Sequence, residues 1–506
     1  MKRSMSILIV LTVLISLPVM GDDYAKINGW HFENFGITHL PWELFEKSYI
    51  GINPADPMDQ AFYAAYNAAF AVAAGNCFGM SLLSLLILHE EGHMGFCRPI
   101  YVFEGDTAGP ADTTLRNAII IMQCHEWSHA GINWLIDIFN GHHLHDALYA
   151  YDQIKYYMAK DDPPMLTLVK DYSLVGHTIV PYRTEERGGN KYIYVYDSNR
   201  FFPEDSSYYL HDSNYIEIKP SGDWEFRMAN DSIWRSPDGM IFVTPISVVR
   251  DASRNPLELG AILDELNGLF LAGASVSQIT DNEGHRLYKT EAGEHLRYSD
   301  IEKNPAKRIR NIVRMPFIGG RPGKGKTVEI YFFRGAPAKE FNIKVTPKKG
   351  NYKFTMAGGR DIIRIEAKGS GRGKDEIKIG IAGKKRGEVL VKTKRGRPSF
   401  DIEITKKLPR EDRYRSFTLK NVKIERDNPV FLKITEDVKG LLVKAGKREI
   451  VCDLKVAEIK EGKRKEVETK GVRFTGDKFQ LIAPDNWKKL DKKNIKIREY
   501  KIRKMK

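Results

Sequence analysis

Beyond Thr327 the chain consists almost entirely of short runs of β-branched and aromatic residues, and no other feature restricts its fold as strongly. Residues 328–333, 341–345, 377–381, 389–393, 400–405, 417–424 and 431–435 have strand length, with Gly, Lys and Asn turns between them at near-regular spacing. Each such strand buries one face, and the pattern predicts all-β, β-sandwich-like modules. The earlier part reads differently. Residues 59–74, 78–91, 115–140 and 146–160 have helical period, whereas 165–169, 176–182 and 191–196 are strand-like. Helices followed by strands in one unit predict an α+β domain.

At 506 residues the chain exceeds a single core and suggests about two to four domains. We expect a signal peptide at 1–21, an α+β domain at 22–249, and a connector at 250–318 with a helix at 257–271. Two β-rich modules then follow at 319–408 and 409–506, divided at the Pro and charged residues of 408–412. The signal rests on Lys2 and Arg3, the apolar run 7–20, and Val19 and Gly21 at the expected cleavage site, so a secreted or cell-surface location is expected. An uncleaved anchor is the alternative.

Charge divides the chain as sharply as periodicity. Residues 301–506 carry 58 Lys+Arg against 26 Asp+Glu, and subtraction from the totals of 79 and 65 leaves 21 against 39 for residues 1–300. A half with net charge +32 beside one of −18 suits an anionic cell-surface polymer and only non-specific nucleic-acid contact. A Lys/Glu-rich solvated surface accounts for the same composition. Of the four cysteines, Cys77, Cys97, Cys124 and Cys452, Cys97 and Cys124 are the pair best placed for a disulfide in an exported chain.

Cys77 lies in Gly75-Asn76-Cys77-Phe78-Gly79, directly before a predicted helix. A helix N-terminus favours thiolate, and the flanking glycines leave room for a substrate backbone. A thiol nucleophile needs a histidine base, held in one tautomer by a third group. His177 opens one predicted strand, and Asp197 and Asn199 end the next, after the turn 186–190. A hairpin centred on Arg187 sets His177 opposite Asp197 and Ile179 opposite Val195, which favours Asp197 over Asn199 as the orienting group.

These three blocks, Gly75 to Met80, Gly176 to Val180 and Tyr194 to Asn199, resemble those of the papain-like cysteine peptidases in order and context. The resemblance covers about residues 30–245. It implies a Cys77-His177-Asp197 triad, acyl-enzyme chemistry, a peptide or protein substrate and no cofactor. One departure stands out: the glutamine that helps bind the oxyanion in that family is replaced by Ala71, leaving the Cys77 amide with Asn76 or Gln123 as candidate donors. A non-catalytic surface or adhesion protein that keeps the scaffold is the rival reading.

Two other motifs compete. His125-Glu126-Trp127-Ser128-His129 matches the zinc metallopeptidase pattern, and on one continuous helix its imidazoles would share a face. It lacks a third ligand nearby, so a metal site there is the weaker alternative. Residues 320–327 match a phosphate loop, but a strand follows where a helix is needed, so nucleotide binding is not expected. Trp127, Trp134 and Trp224 either line a groove or fill the core, and the core is the commoner place for such side chains.

Overall fold

The computed structural model describes residues 27–70, 75–141, 143–170, 175–200, 214–258, 266–288, 309–318, 328–335, 340–348, 350–369, 375–380, 385–394, 398–409 and 411–500. The expected signal peptide, Ala71 and the phosphate-loop-like 320–327 lie outside them. Among the described residues no helix is long and apolar enough to cross a membrane.

The protein is mixed α+β. Its helical part contains Trp42–Ser48, Pro57–Phe70, Cys77–His89, Thr113–Cys124, His129–Asn140 and Ala147–Ala159. The helix predicted over 115–140 is broken in two. A 3-10 turn, His125–Trp127, separates the halves, and Ser128 is extended with ψ 156°. Its side chain accepts from the Gly131 amide and starts a new helix, as N-capping serines do.

A small hairpin, β1 (Gly105–Asp106) with β2 (Gly109–Pro110), precedes the main sheet of this half. That sheet holds β3 (Pro164–Lys170), β4 (Val175–Arg187), β5 (Asn190–Tyr196), β6 (Tyr215–Ile218), β7 (Trp224–Arg227), β8 (Ile233–Arg235) and β9 (Gly239–Pro245), in the order β8-β7-β6-β5-β4-β3-β9. The Ala147–Ala159 helix and strand residues including Ile179, Val195 and Trp224 form one apolar cluster. Cys77, Val180, Tyr196 and Phe242 belong to a second, much larger cluster.

The helix expected at 257–271 is instead a strand at its C-terminal end. Leu266–Ala272 pairs with Val328–Arg334 on one side and Tyr352–Gly358 on the other. Six of these seven residues are buried, and a strand covered on both faces loses the alternation that marks a strand.

The β-rich half forms two nine-stranded antiparallel sheets. After residue 350 the hairpins alternate between them. Tyr352–Gly358 with Asp361–Lys368 joins the first, Asp375–Gly380 with Glu388–Thr393 the second, and Ser399–Lys407 with Arg413–Lys423 the first again. Three more hairpins continue the alternation to Glu499. Burial alternates residue by residue, as in Glu340–Pro347 and Val430–Ile434, which is what half-buried strands require. The boundary expected at 408–412 falls in the turn of one hairpin, and both sheets continue through it. The large cluster runs from Trp30 through Phe332 and Phe417 to Leu490, with Trp127 and Phe332 packed ring to ring at 5.6 Å.

Candidate active site

Cys77 is the first residue of its helix and is completely buried, as is Asp197, while His177 is 3% exposed. The helix has no side-chain cap from Asn76. His177 Nε2 lies 2.6 Å from Asp197 Oδ1, and the imidazole also interacts with the Cys77 thiol. Burial alone would depress the imidazole pKa, but the Asp197 carboxylate and Cys77 outweigh it and raise it to about 10. Asp197 is held below the usual carboxylate range: burial pushes it up, but His177, the Asn199 amide and Arg200 pull it further down.

The expected pairing of His177 with Asp197 exists, by a different register. Arg187 pairs with Asn190 and Arg183 with Tyr194, but Pro181 pairs with Val195 and Val180 with Tyr196. Tyr182 is therefore an inserted bulge residue. Extending the outer register sets Asp197 opposite Ile179, diagonal to His177 on the same face. Without the bulge Asp197 would fall opposite Val180, on the wrong face, because a one-residue slip inverts a strand. Since β5 stops at Tyr196, the Thr178 amide has no strand to pair with there and donates to Cys77 Sγ at 3.4 Å. On the connector, Phe317–Ile318 pairs in parallel with Val175 and Gly176, immediately before His177.

Asn199 flanks the ring: its Nδ2 is 3.3 Å from His177 Nε2, and its backbone amide donates to Asp197 Oδ1 at 2.8 Å. Its Oδ1 accepts from Asn34, a residue that sequence reasoning missed. Asn34 also accepts from the Asn76 amide at 2.8 Å, and its own amide donates to Ser198 O. Nearby, Trp30 donates its ring N–H to Met80 O and its amide to the Tyr196 hydroxyl. Residues 30–34 thus fasten the Cys77 helix to the end of β5. The only signal for this was an asparagine within an aromatic stretch, Trp30 to Phe35.

The glycines serve packing here. A Cβ on Gly75 would meet Asn34 Nδ2 at 2.5 Å, and one on Gly79 would meet Ile119 O at 2.2 Å. Space expected for substrate is filled by the protein itself. Of the candidate oxyanion donors, Asn76 spends its Nδ2 on Phe35 O. Gln123 accepts from the Gly79 amide through Oε1 and donates from Nε2 to Glu126, both at 2.9 Å.

The zinc alternative loses its geometry with the helix break. His125 is buried, its Nδ1 2.7 Å from Val249 O, while His129 begins the following helix with its ring beside Asn133. Neither belongs to a group of three metal-capable side chains among the described residues. The disulfide is also absent: all four cysteines are free, with Cys97 exposed and Cys124 buried. Burial pushes the Cys124 thiol up to about 12, so it is an inert core thiol. Trp127 and Trp224 fill the two cores. Trp134 instead flanks a cavity of about 130 Å³ with Tyr149 and Ile241.

No protein-family model, curated protein or solved structure matches this chain.

Proposed function

We propose that the protein is a thiol hydrolase of papain-like type that cleaves peptide or amide bonds in an exported setting. The observation that carries this reading is the convergence of Cys77, His177 and Asp197 from three separate elements, with His177 between the thiol and the carboxylate. Asp197 engages Nε2, which leaves Nδ1 to take the proton from sulfur. The Thr178 amide and the helix N-terminus stabilise thiolate. Attack on a carbonyl forms an acyl-enzyme as the imidazolium protonates the leaving amine, and water activated by the same ring releases the acid. The basic half would hold the enzyme on an anionic cell-surface polymer through long-range attraction.

Complete burial of the sulfur favours the rival, a non-catalytic surface protein on a hydrolase-like scaffold. Alkylation by iodoacetamide at neutral pH separates the two. The hydrolase reading expects rapid modification of Cys77 that His177→Ala slows by ~10-fold or more, a rise of at least about 1.4 kcal/mol in the barrier. A slow reaction, indifferent to His177, would leave the binding protein as the better account.

A further inference from the structure

Glu126 sits at the centre of the His-Glu-x-x-His match, yet its interactions lead to the thiol site. Its Oε2 accepts from Gln123 Nε2, and Gln123 Oε1 accepts from the amide of Gly79, two residues after the candidate nucleophile. Gly79 makes this reach possible, because a side chain there would collide with the backbone of the Thr113–Cys124 helix. The Cys77 helix gets no cap from Asn76, so Gln123 supplies one from another helix. Glu126 Oε1 is buried without a hydrogen-bond partner.

We propose that Glu126 is a positioning residue for Cys77: it fixes the orientation of the Gln123 carboxamide, and with it the first turn of the nucleophile helix. This rests on the thiol-hydrolase reading. A carboxamide presents an acceptor at one end and donors at the other. With an acceptor at Glu126, only one orientation turns the Gln123 oxygen toward the Gly79 N–H. Remove that acceptor and the amide is free to flip, setting N–H against N–H at Gly79 and loosening the turn that holds sulfur against His177. Burial and the neighbouring Cys77 both push the Glu126 carboxyl well above its usual range, against the Gln123 hydrogen bond, so a neutral acceptor fits the role.

The test compares iodoacetamide alkylation of Cys77 and its ultraviolet thiolate absorbance in the full chain and in Glu126→Leu, Glu126→Gln and Gln123→Leu. Glu126→Leu should slow alkylation ~10-fold, the effect of one well-placed hydrogen bond, and weaken the thiolate signal. Glu126→Gln keeps an acceptor and should recover most of both. Gln123→Leu should match Glu126→Leu, and the double variant should lose no more than either alone. If the unsubstituted protein reacts quickly and depends on His177 while Glu126→Leu reacts as fast, the positioning role is wrong and the hydrolase reading survives. Equal slowing in Glu126→Leu and Glu126→Gln, tracking a fall in melting temperature, would make Glu126 merely structural. If the unsubstituted protein itself reacts slowly and ignores His177, the parent reading is what fails.

Discussion

Asp197 and Asn34 meet around His177, and their removal should have different consequences. Asp197 is completely buried and bonded to the imidazole. Asp197→Ala leaves a buried ring without its counter-charge, which should cost about 3–5 kcal/mol in denaturant unfolding and suppress Cys77 alkylation. Asn34→Ala removes the acceptor of the Asn76 amide and the donor to Asn199. Leaving such groups unpaired should cost about 1–3 kcal/mol, and the alkylation rate should fall while His177 and Asp197 remain paired. The site also makes a pH prediction. The His177 pKa is raised to about 10, above its unfolded value, so the stability linked to the imidazole is fully present below about pH 6.5. It is lost as pH rises toward 10. Hydrolysis should fall over the same alkaline range as the imidazolium acid disappears, and a rate profile that stays flat to pH 10 would contradict the assignment.

Tyr182 is the element-scale counterpart. Deleting this bulge residue should leave Pro181 opposite Val195 and Arg183 opposite Tyr194, so His177 and Asp197 should keep a common face and His177-dependent alkylation should survive, as it should when only the Tyr182 side chain is substituted. Mass spectrometry of the alkylated protein would read both variants. The two nearby strands were legible in the sequence because their apolar alternation is strong, and the parity of His177 with Asp197 was legible with them. The bulge was not, since an inserted residue leaves the same composition on either side. The break after Cys124 was hidden for a related reason: Ser128 caps a new helix with the same apolar period as the one before it. Leu266–Ala272 carries no strand alternation, because burial on both faces erases it. The regular strands after residue 327 stood out because each exposes one face to water.

At the scale of the molecule, the two charge-opposed halves meet through a buried acidic group. Asp56 accepts from the Tyr414 hydroxyl at 2.7 Å and pairs with Lys407 at 3.2 Å, while Lys407 also reaches Glu258. Beside them, burial pushes Asp59 up to about 7 against its bonds to Asn255 and Asn53, with Glu258 and Asp56 adding to the rise. A carboxyl with a raised folded pKa stabilises fully below its unfolded value near pH 3.9 and loses that contribution as pH rises through the folded one. Wild type should therefore lose stability relative to Asp59→Asn between about pH 4 and 7, by about 4 kcal/mol; parallel melting curves across that range would refute the shift. The alternation of hairpins between two sheets has a different consequence. Every two hairpins lengthen both layers equally and leave the earlier strands untouched, so the assembly behaves like a ladder whose rungs are added at one end. Its height is a free variable. The Lys- and Arg-rich Lys463–Phe474 strand lies at one edge of the first sheet, where its charges discourage edge-to-edge pairing with another chain.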